Sequence, residues 1–205
     1  MVDVVAHRAG NTISGARSAR ALGHMIELDV HSLRGRLEVR HEKVLWPTAR
    51  LWEKWYLLPS HTTVPALTEV LDATGHCALL VDVKSPTRAT ARRIAKALEG
   101  RDRVVVSSRM WWTLGAFSSR PGWTTLRSCG NWLQLWLAIK LQRTGTQRGI
   151  AIHERLMTPE VAADLNGSIY VWGARDAQRC EELLEFGIAG IILDDVDLVG
   201  PTISG

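Results

Sequence analysis

Ala78-Leu79-Leu80-Val81-Asp82-Val83-Lys84 is a short apolar, β-branched run of the kind that makes a buried strand. Thr87–Leu98 follows with helix-like spacing and is stopped by Gly100; Val104-Val105-Val106-Ser107 is strand-like again. Strand, helix, strand in that order is the unit of a parallel sheet. The alternation continues in both directions. Towards the N-terminus lie strands at Val2–His7 and Met25–Val30, with helices near Ser14–Leu22 and Ala66–Ala73. Towards the C-terminus lie strands at Thr124–Arg127, Gly149–His153, Ser168–Trp172 and Ala189–Leu193. Helices are expected between them near Met110–Phe117, Trp132–Gln142, Pro159–Leu165 and Asp176–Phe186, the third opened by Thr158-Pro159-Glu160.

Eight strands alternating with helices predict a single domain over residues 1–205, an α/β fold closed as a compact (β/α)8 TIM barrel. Little chain follows the eighth strand, so a reduced last helix is expected. In such barrels catalysis sits at the C-terminal strand ends, where His7, Asp29, Lys84, His153, Trp172 and Asp194 fall.

At 205 residues and 46% hydrophobic, the chain can bury a sizeable core. Its net charge of +4 favours anionic partners, but the 25 basic residues are spread along the sequence, so no nucleic-acid groove is implied. Cys77, Cys129 and Cys180 are odd in number and far apart; they read as free thiols of a reducing compartment. Met1 leads straight into a strand without a signal-peptide pattern, and Trp132–Leu141 is too short and too polar to span a bilayer. A cytoplasmic protein without a transmembrane segment is expected. Contact with a membrane surface and the oligomeric state stay open.

Glu27 and Asp29 are two apart in Met25-Ile26-Glu27-Leu28-Asp29-Val30, so both side chains leave the same face of the strand. Two carboxylates on a buried strand repel each other and resist desolvation, and they persist if a cation sits between them. Asp82 and Lys84 share a face in the same way, which adds a third carboxylate from a neighbouring strand. Oxygen ligands without cysteine suit a hard divalent cation, Mg²⁺ or Ca²⁺, with Mn²⁺ also admissible. A structural ion pair, Asp82–Lys84 or Asp29–Arg8, is the alternative. His7 and His41 flank the carboxylates and would serve as an acid–base pair, because imidazole titrates near neutrality. Arg8 can grip phosphate oxygens bidentately, and Lys84 supplies a compact positive charge.

The pattern His7-Arg8, Glu27-x-Asp29, His41 resembles the glycerophosphodiester phosphodiesterases. Val64–Leu71, Leu80–Lys84, Val171-Trp172 and Gly187–Asp194 are similar to segments of that family in the same order. The resemblance implies hydrolysis of a small-molecule glycerophosphodiester to glycerol 3-phosphate and an alcohol on a (β/α)8 barrel. It also implies a divalent cation on Glu27, Asp29 and Asp82, with His7 and His41 as general acid and base in unassigned order. Arg8 and Lys84 would steady the phosphate, and Trp172 would pack against the glycerol or the leaving group, or else belong to the core.

The chain also departs from the family. Ala9-Gly10-Asn11-Thr12 replaces a longer Pro-Glu-Asn-Thr stretch and lacks its glutamate, Glu42 follows the second histidine in place of aspartate, and Asp82 stands where glutamate is commoner.

Nine Trp against two Tyr and two Phe is unusual. Trp46, Trp52, Trp55 and Tyr56 crowd Leu45–Pro59, which reads either as an aromatic lid for a lipid-like or choline-like head group or as a compact helical loop on the rim. Trp111, Trp112, Trp132 and Trp136 fall in helix-like stretches and are expected to pack in the core or on the rim. Two competing functions remain at this level. One is a lysophospholipase D-like or phospholipase C-like activity at a lipid interface. The other is a degenerate barrel that binds a phosphorylated ligand without turnover.

Overall fold

The computed structural model describes residues 2–45, 50–53, 56–58, 62–145 and 148–199. Eight parallel strands form a closed barrel: β1 (Asp3–Ala6), β2 (Met25–Leu33), β7 (Leu79–Val83), β8 (Val104–Ser108), β9 (Trp123–Cys129), β10 (Gly149–His153), β11 (Ile169–Trp172) and β12 (Gly190–Leu193). Closure is made by β1, which pairs in parallel with both β12 and β2. These are the eight strands expected from sequence, with ends moved by at most three residues.

The helices are α1 (Ile13–Ala21), α2 (Leu67–Thr74), α3 (Arg88–Ala97), α4 (Trp132–Arg143), α5 (Pro159–Asp164) and α6 (Ala177–Glu185). Thr158 caps its helix as expected, and Thr12, Thr87, Asn131 and Asp176 likewise accept a backbone N–H at the start of a helix. Met110–Phe117 departs from expectation and is a 3₁₀ segment at Trp111–Ala116. There the Thr113 hydroxyl bonds the Met110 carbonyl at 2.7 Å, and a β-branched residue beside Gly115 favours no regular α-turn. Among the described residues only a 3₁₀ turn, Val196–Leu198, follows β12, as the reduced last helix requires.

Strand alternation divides the core. Val5, Met25, Leu80, Val105, Leu126, Ala151, Tyr170 and Ile192, one from each barrel strand, fill the interior as a single cluster. The opposite faces pack outward against the helices in two larger clusters. Gly190 makes room for the Tyr170 ring, which an added Cβ would meet at 2.3 Å. Above this apolar layer the candidate site residues gather at the C-terminal strand ends, while Asp3, Arg103 and the Tyr170 hydroxyl meet at the opposite end.

Two features were not expected. The strand β2 runs three residues past Val30 and turns through Arg34 (φ 48°) and Gly35 (φ 82°) into antiparallel β3 (Arg36–Val39). After it, β4 (Lys43–Leu45), β5 (Arg50–Glu53) and β6 (Tyr56–Leu57) make a small antiparallel sheet, so the described residues of the segment are strand and not a helical loop. Trp46, Trp55 and Pro59 of the suggested lid lie outside the described residues; Trp52 lies beneath the Lys43 ammonium, 5.5 Å from the ring centroid.

Candidate active site

The carboxylates meet as alternation and register dictate. The strands β2 and β7 pair with Asp29 directly opposite Asp82, and Glu27 lies two residues below on the same face. Carboxylate oxygens of Glu27, Asp29 and Asp82 lie within 4.8 Å of one another. Glu27 and Asp29 are buried. Lys84 bridges two of them, with its ammonium 2.8 Å from Asp29 Oδ1 and also paired with Asp82. Of the suggested structural ion pairs, Asp82–Lys84 therefore forms. Arg8 makes no bond to Asp29; its backbone N–H donates to Glu27 Oε2 at 2.5 Å.

One ammonium cannot neutralise three carboxylates. Burial, with Asp29 and Asp82 beside it, holds the Glu27 carboxyl well above its ordinary range. Burial pushes Asp29 the same way, but Lys84 and Asn11 override it and hold Asp29 low. On Lys84 the two aspartates overcome burial and raise its ammonium. Asp82 Oδ1 is buried with no hydrogen-bond partner. A crowded, protonation-prone carboxylate beside an orphaned carboxylate oxygen fits a divalent cation among Glu27, Asp29 and Asp82.

The short loop after β1 holds this cluster from the side. Arg8 takes a left-handed conformation (φ 54°), which aims its N–H at Glu27 and costs about 1–3 kcal/mol for a residue with a side chain. Gly10 then passes so close to β2 that a Cβ would lie 2.7 Å from Leu28 Cβ and 2.9 Å from the Glu27 carbonyl. That approach lets Asn11 grip Asp29 twice: its amide donates to Oδ2 at 2.8 Å, and its Oδ1 accepts the Asp29 N–H at 2.9 Å.

The histidines come from opposite sides. His7, just after β1, bonds Asp194 Oδ1 through Nδ1 at 2.6 Å, which leaves Nε2 for the pocket. His41 follows β3, anchored by the Arg40 N–H on the Asp29 carbonyl at 2.9 Å. Its Nε2 lies 2.7 Å from Arg8 Nη2, which can only donate, so Nε2 accepts and the proton sits on Nδ1, facing Glu53 Oε1 at 3.0 Å. Burial and the Arg8 guanidinium lower the His41 pKa, favouring the neutral imidazole. Glu53 also lies 3.6 Å from Arg8 Nη1, while Arg8 Nε is buried without a partner.

All eight sequence-derived candidates line one cavity of about 140 Å³: His7, Arg8, Glu27, Asp29, His41, Asp82, Lys84 and Trp172. Trp172 stands half-buried at its wall, edge-on to His153 at 4.3 Å between ring centroids. Ser107, Ser128 and Arg109 complete the far side. The supporting groups Asn11, Glu53 and Asp194 were not chosen as site residues from sequence. Asp194 carried a signal, as a carboxylate ending a barrel strand. Glu53 carried none, because its arrival depends on the small sheet after His41.

No family model matches the sequence, and no curated protein matches it either. Solved structures do. The chain is similar to a glycerophosphodiester phosphodiesterase from Thermotoga maritima, with a TM-score of 0.76 and 18% identity over 97% of this chain and 96% of that one. It is similar to an Oleispira antarctica phosphodiesterase in complex with the product sn-glycerol-3-phosphate, at TM-score 0.73 and 15% identity over 99% and 97%. A glycerophosphodiester phosphodiesterase from Agrobacterium tumefaciens gives 0.69 and 20% over 97% and 98%. At these identities the likeness establishes the barrel fold along nearly the whole chain.

Proposed function

We propose that the chain is a phosphoric diester hydrolase, a metal-dependent phosphodiesterase that cleaves glycerophosphodiesters to glycerol 3-phosphate and an alcohol. The observation that carries this reading is the convergence of three carboxylates, two histidines and two cations on one cavity at the C-terminal mouth of the barrel. Its likeness in fold to phosphodiesterases, one of them holding sn-glycerol-3-phosphate, supports the substrate class.

Glu27, Asp29 and Asp82 would hold Mg²⁺ or Ca²⁺, with Mn²⁺ as a substitute. Such an ion supplies charge stabilisation at the phosphoryl oxygens. The Arg8 guanidinium and the Lys84 ammonium, both lining the cavity, bind and orient the phosphate. His41 is assigned as general base: it is neutral, and its Nε2 lone pair faces the pocket on a hydrogen bond that substrate can replace. His7 is assigned as general acid: its Nδ1 is held on Asp194, which orients the ring so that Nε2 can deliver a proton to the departing alkoxide. Glu53 orients His41, and Trp172 packs on the glycerol or the leaving group.

The test is product analysis. Glycerophosphocholine and glycerophosphoethanolamine are incubated with the protein and Mg²⁺, Ca²⁺ or Mn²⁺, or with EDTA. Release of sn-glycerol 3-phosphate that EDTA abolishes is expected. Release of phosphocholine or phosphoethanolamine instead would overturn the assigned bond cleavage.

A further inference from the structure

We infer that the outer face of α4, together with Trp112, is a docking surface for an anionic lipid bilayer, placed at the rim of the cavity. A helix covering a barrel normally turns polar side chains to solvent. Instead α4 exposes Trp132 (57%), Leu133 (72%), Trp136 (53%) and Leu137 (42%) on one side. Its buried side, Leu135 and Ala138, already meets the outer core, so the exposed residues are surplus to folding. Trp112, at the start of the 3₁₀ segment after β8, is 54% exposed with its indole N–H bonded to the Pro86 carbonyl at 2.8 Å. Trp111 alone of these tryptophans turns inward, onto the Ser128 carbonyl.

The occupant follows from charge. From Arg103 to His153 the sequence contains seven basic residues and no Asp or Glu. In the fold Arg103, Arg120 and Arg143 of that stretch pair with Asp3, Glu99 and Asp164, and Arg127 is buried, so the surplus positive charge rests on Arg109, Lys140 and Arg148. Arg109 and Lys140 have no carboxylate partner among the described residues, and Lys140 places its ammonium 3.8 Å from the Trp136 ring centroid. Indole rings beside unpaired cations suit the headgroup level of an anionic bilayer, where the ring is half-immersed and the cation meets lipid phosphate. A second copy of the chain is the poorer occupant, since it would bring the Arg109 and Lys140 charges of both copies to one interface.

Position links this surface to the cavity. Gly130 and Asn131 open α4; Arg155 donates to the Gly130 carbonyl at 2.9 Å, and Arg109, which lines the cavity, stands against Gly130. A bilayer resting on Trp132 and Leu133 would lie beside the cavity mouth. A diester carried by lipid would then reach the site without leaving the surface.

Binding can be read without turnover, so the test is independent of the proposed activity. The full chain is sedimented with sucrose-loaded vesicles of phosphatidylcholine alone or with roughly 30 mol% phosphatidylglycerol; at least about tenfold tighter binding to the anionic vesicles is expected. Trp132→Ala/Trp136→Ala should lose about tenfold or more of that binding. Leu22→Gln, a 67% exposed leucine at the opposite end of the barrel, should leave it intact. Circular dichroism and the unfolding midpoint show that the double variant is folded. Absence of vesicle binding, or binding that the double variant retains, overturns the inference. So does micromolar self-association in sedimentation equilibrium that the double variant abolishes, which would assign the face to a second copy.

Discussion

Glu27 is where burial and charge collide. Its carboxyl is enclosed beside two aspartates and so favours the proton, while the proposed cation favours the carboxylate. Cation and proton must therefore compete. Calorimetric titration with Mn²⁺ in buffers of different ionisation enthalpy should show proton release on binding, with affinity falling as pH drops from 8 to 6. In Glu27→Gln the proton release should vanish and affinity fall by about ten- to a hundredfold. His41 makes the second prediction at this scale. Its pKa is lowered by burial and Arg8, so the neutral base persists below the ordinary histidine value near 6.5 and is lost only as pH falls through the lowered value. The acid limb of kcat/KM should accordingly lie below pH 6.5, and Arg8→Ala should move it upward. An acid limb at or above 6.5 in the unaltered protein would contradict the role given to His41. Glu27, Asp29 and Asp82 were legible from sequence because strand alternation fixes which side chains share a face. Asn11 and Glu53 were not, since each reaches the site through a turn whose path depends on tertiary contacts.

The element that decides the site is the loop from Arg8 to Thr12. It approaches β2 closely at Gly10 and grips Asp29 through Asn11. Gly10→Ala must push the loop off β2. It should destabilise the fold by about 1–3 kcal/mol in urea unfolding and lower kcat/KM by more than Asn11→Ala does. Equal activity in Gly10→Ala and the unaltered protein would show that the close approach is incidental. The barrel strands and most helices were readable because their apolar periods match their geometry. The hairpin formed by β2 and β3 left a weaker mark, Arg34-Gly35, and the small sheet after His41 left none, since its strands are short and partly exposed. The 3₁₀ segment at Trp111–Ala116 has helical apolar spacing but residues that disfavour an α-turn.

At the scale of the molecule, the closed barrel places an apolar plug below and every ionisable candidate above, so the cavity is polar on an apolar floor. That partition was legible from the count of strands and from which residues end them. Average charge concealed the other large-scale feature: basic residues look evenly spread, yet no acid falls between Arg103 and His153, and the fold supplies carboxylate partners from outside that stretch to Arg103, Arg120 and Arg143. The tryptophans were expected in the core or on the rim, and sequence could not divide them: Trp111 turns inward, while the barrel covers only the Leu135 side of α4 and leaves Trp132 and Trp136 exposed.

The most direct measurement follows cation binding and turnover on one sample. EDTA-treated protein is titrated with Mn²⁺ while cation occupancy and sn-glycerol 3-phosphate release from glycerophosphoethanolamine are recorded together. One cation per chain is predicted, with both curves rising at the same concentration and both collapsing in Glu27→Gln. Turnover that survives EDTA, or full occupancy with no hydrolysis of the diester by folded protein, would contradict the account.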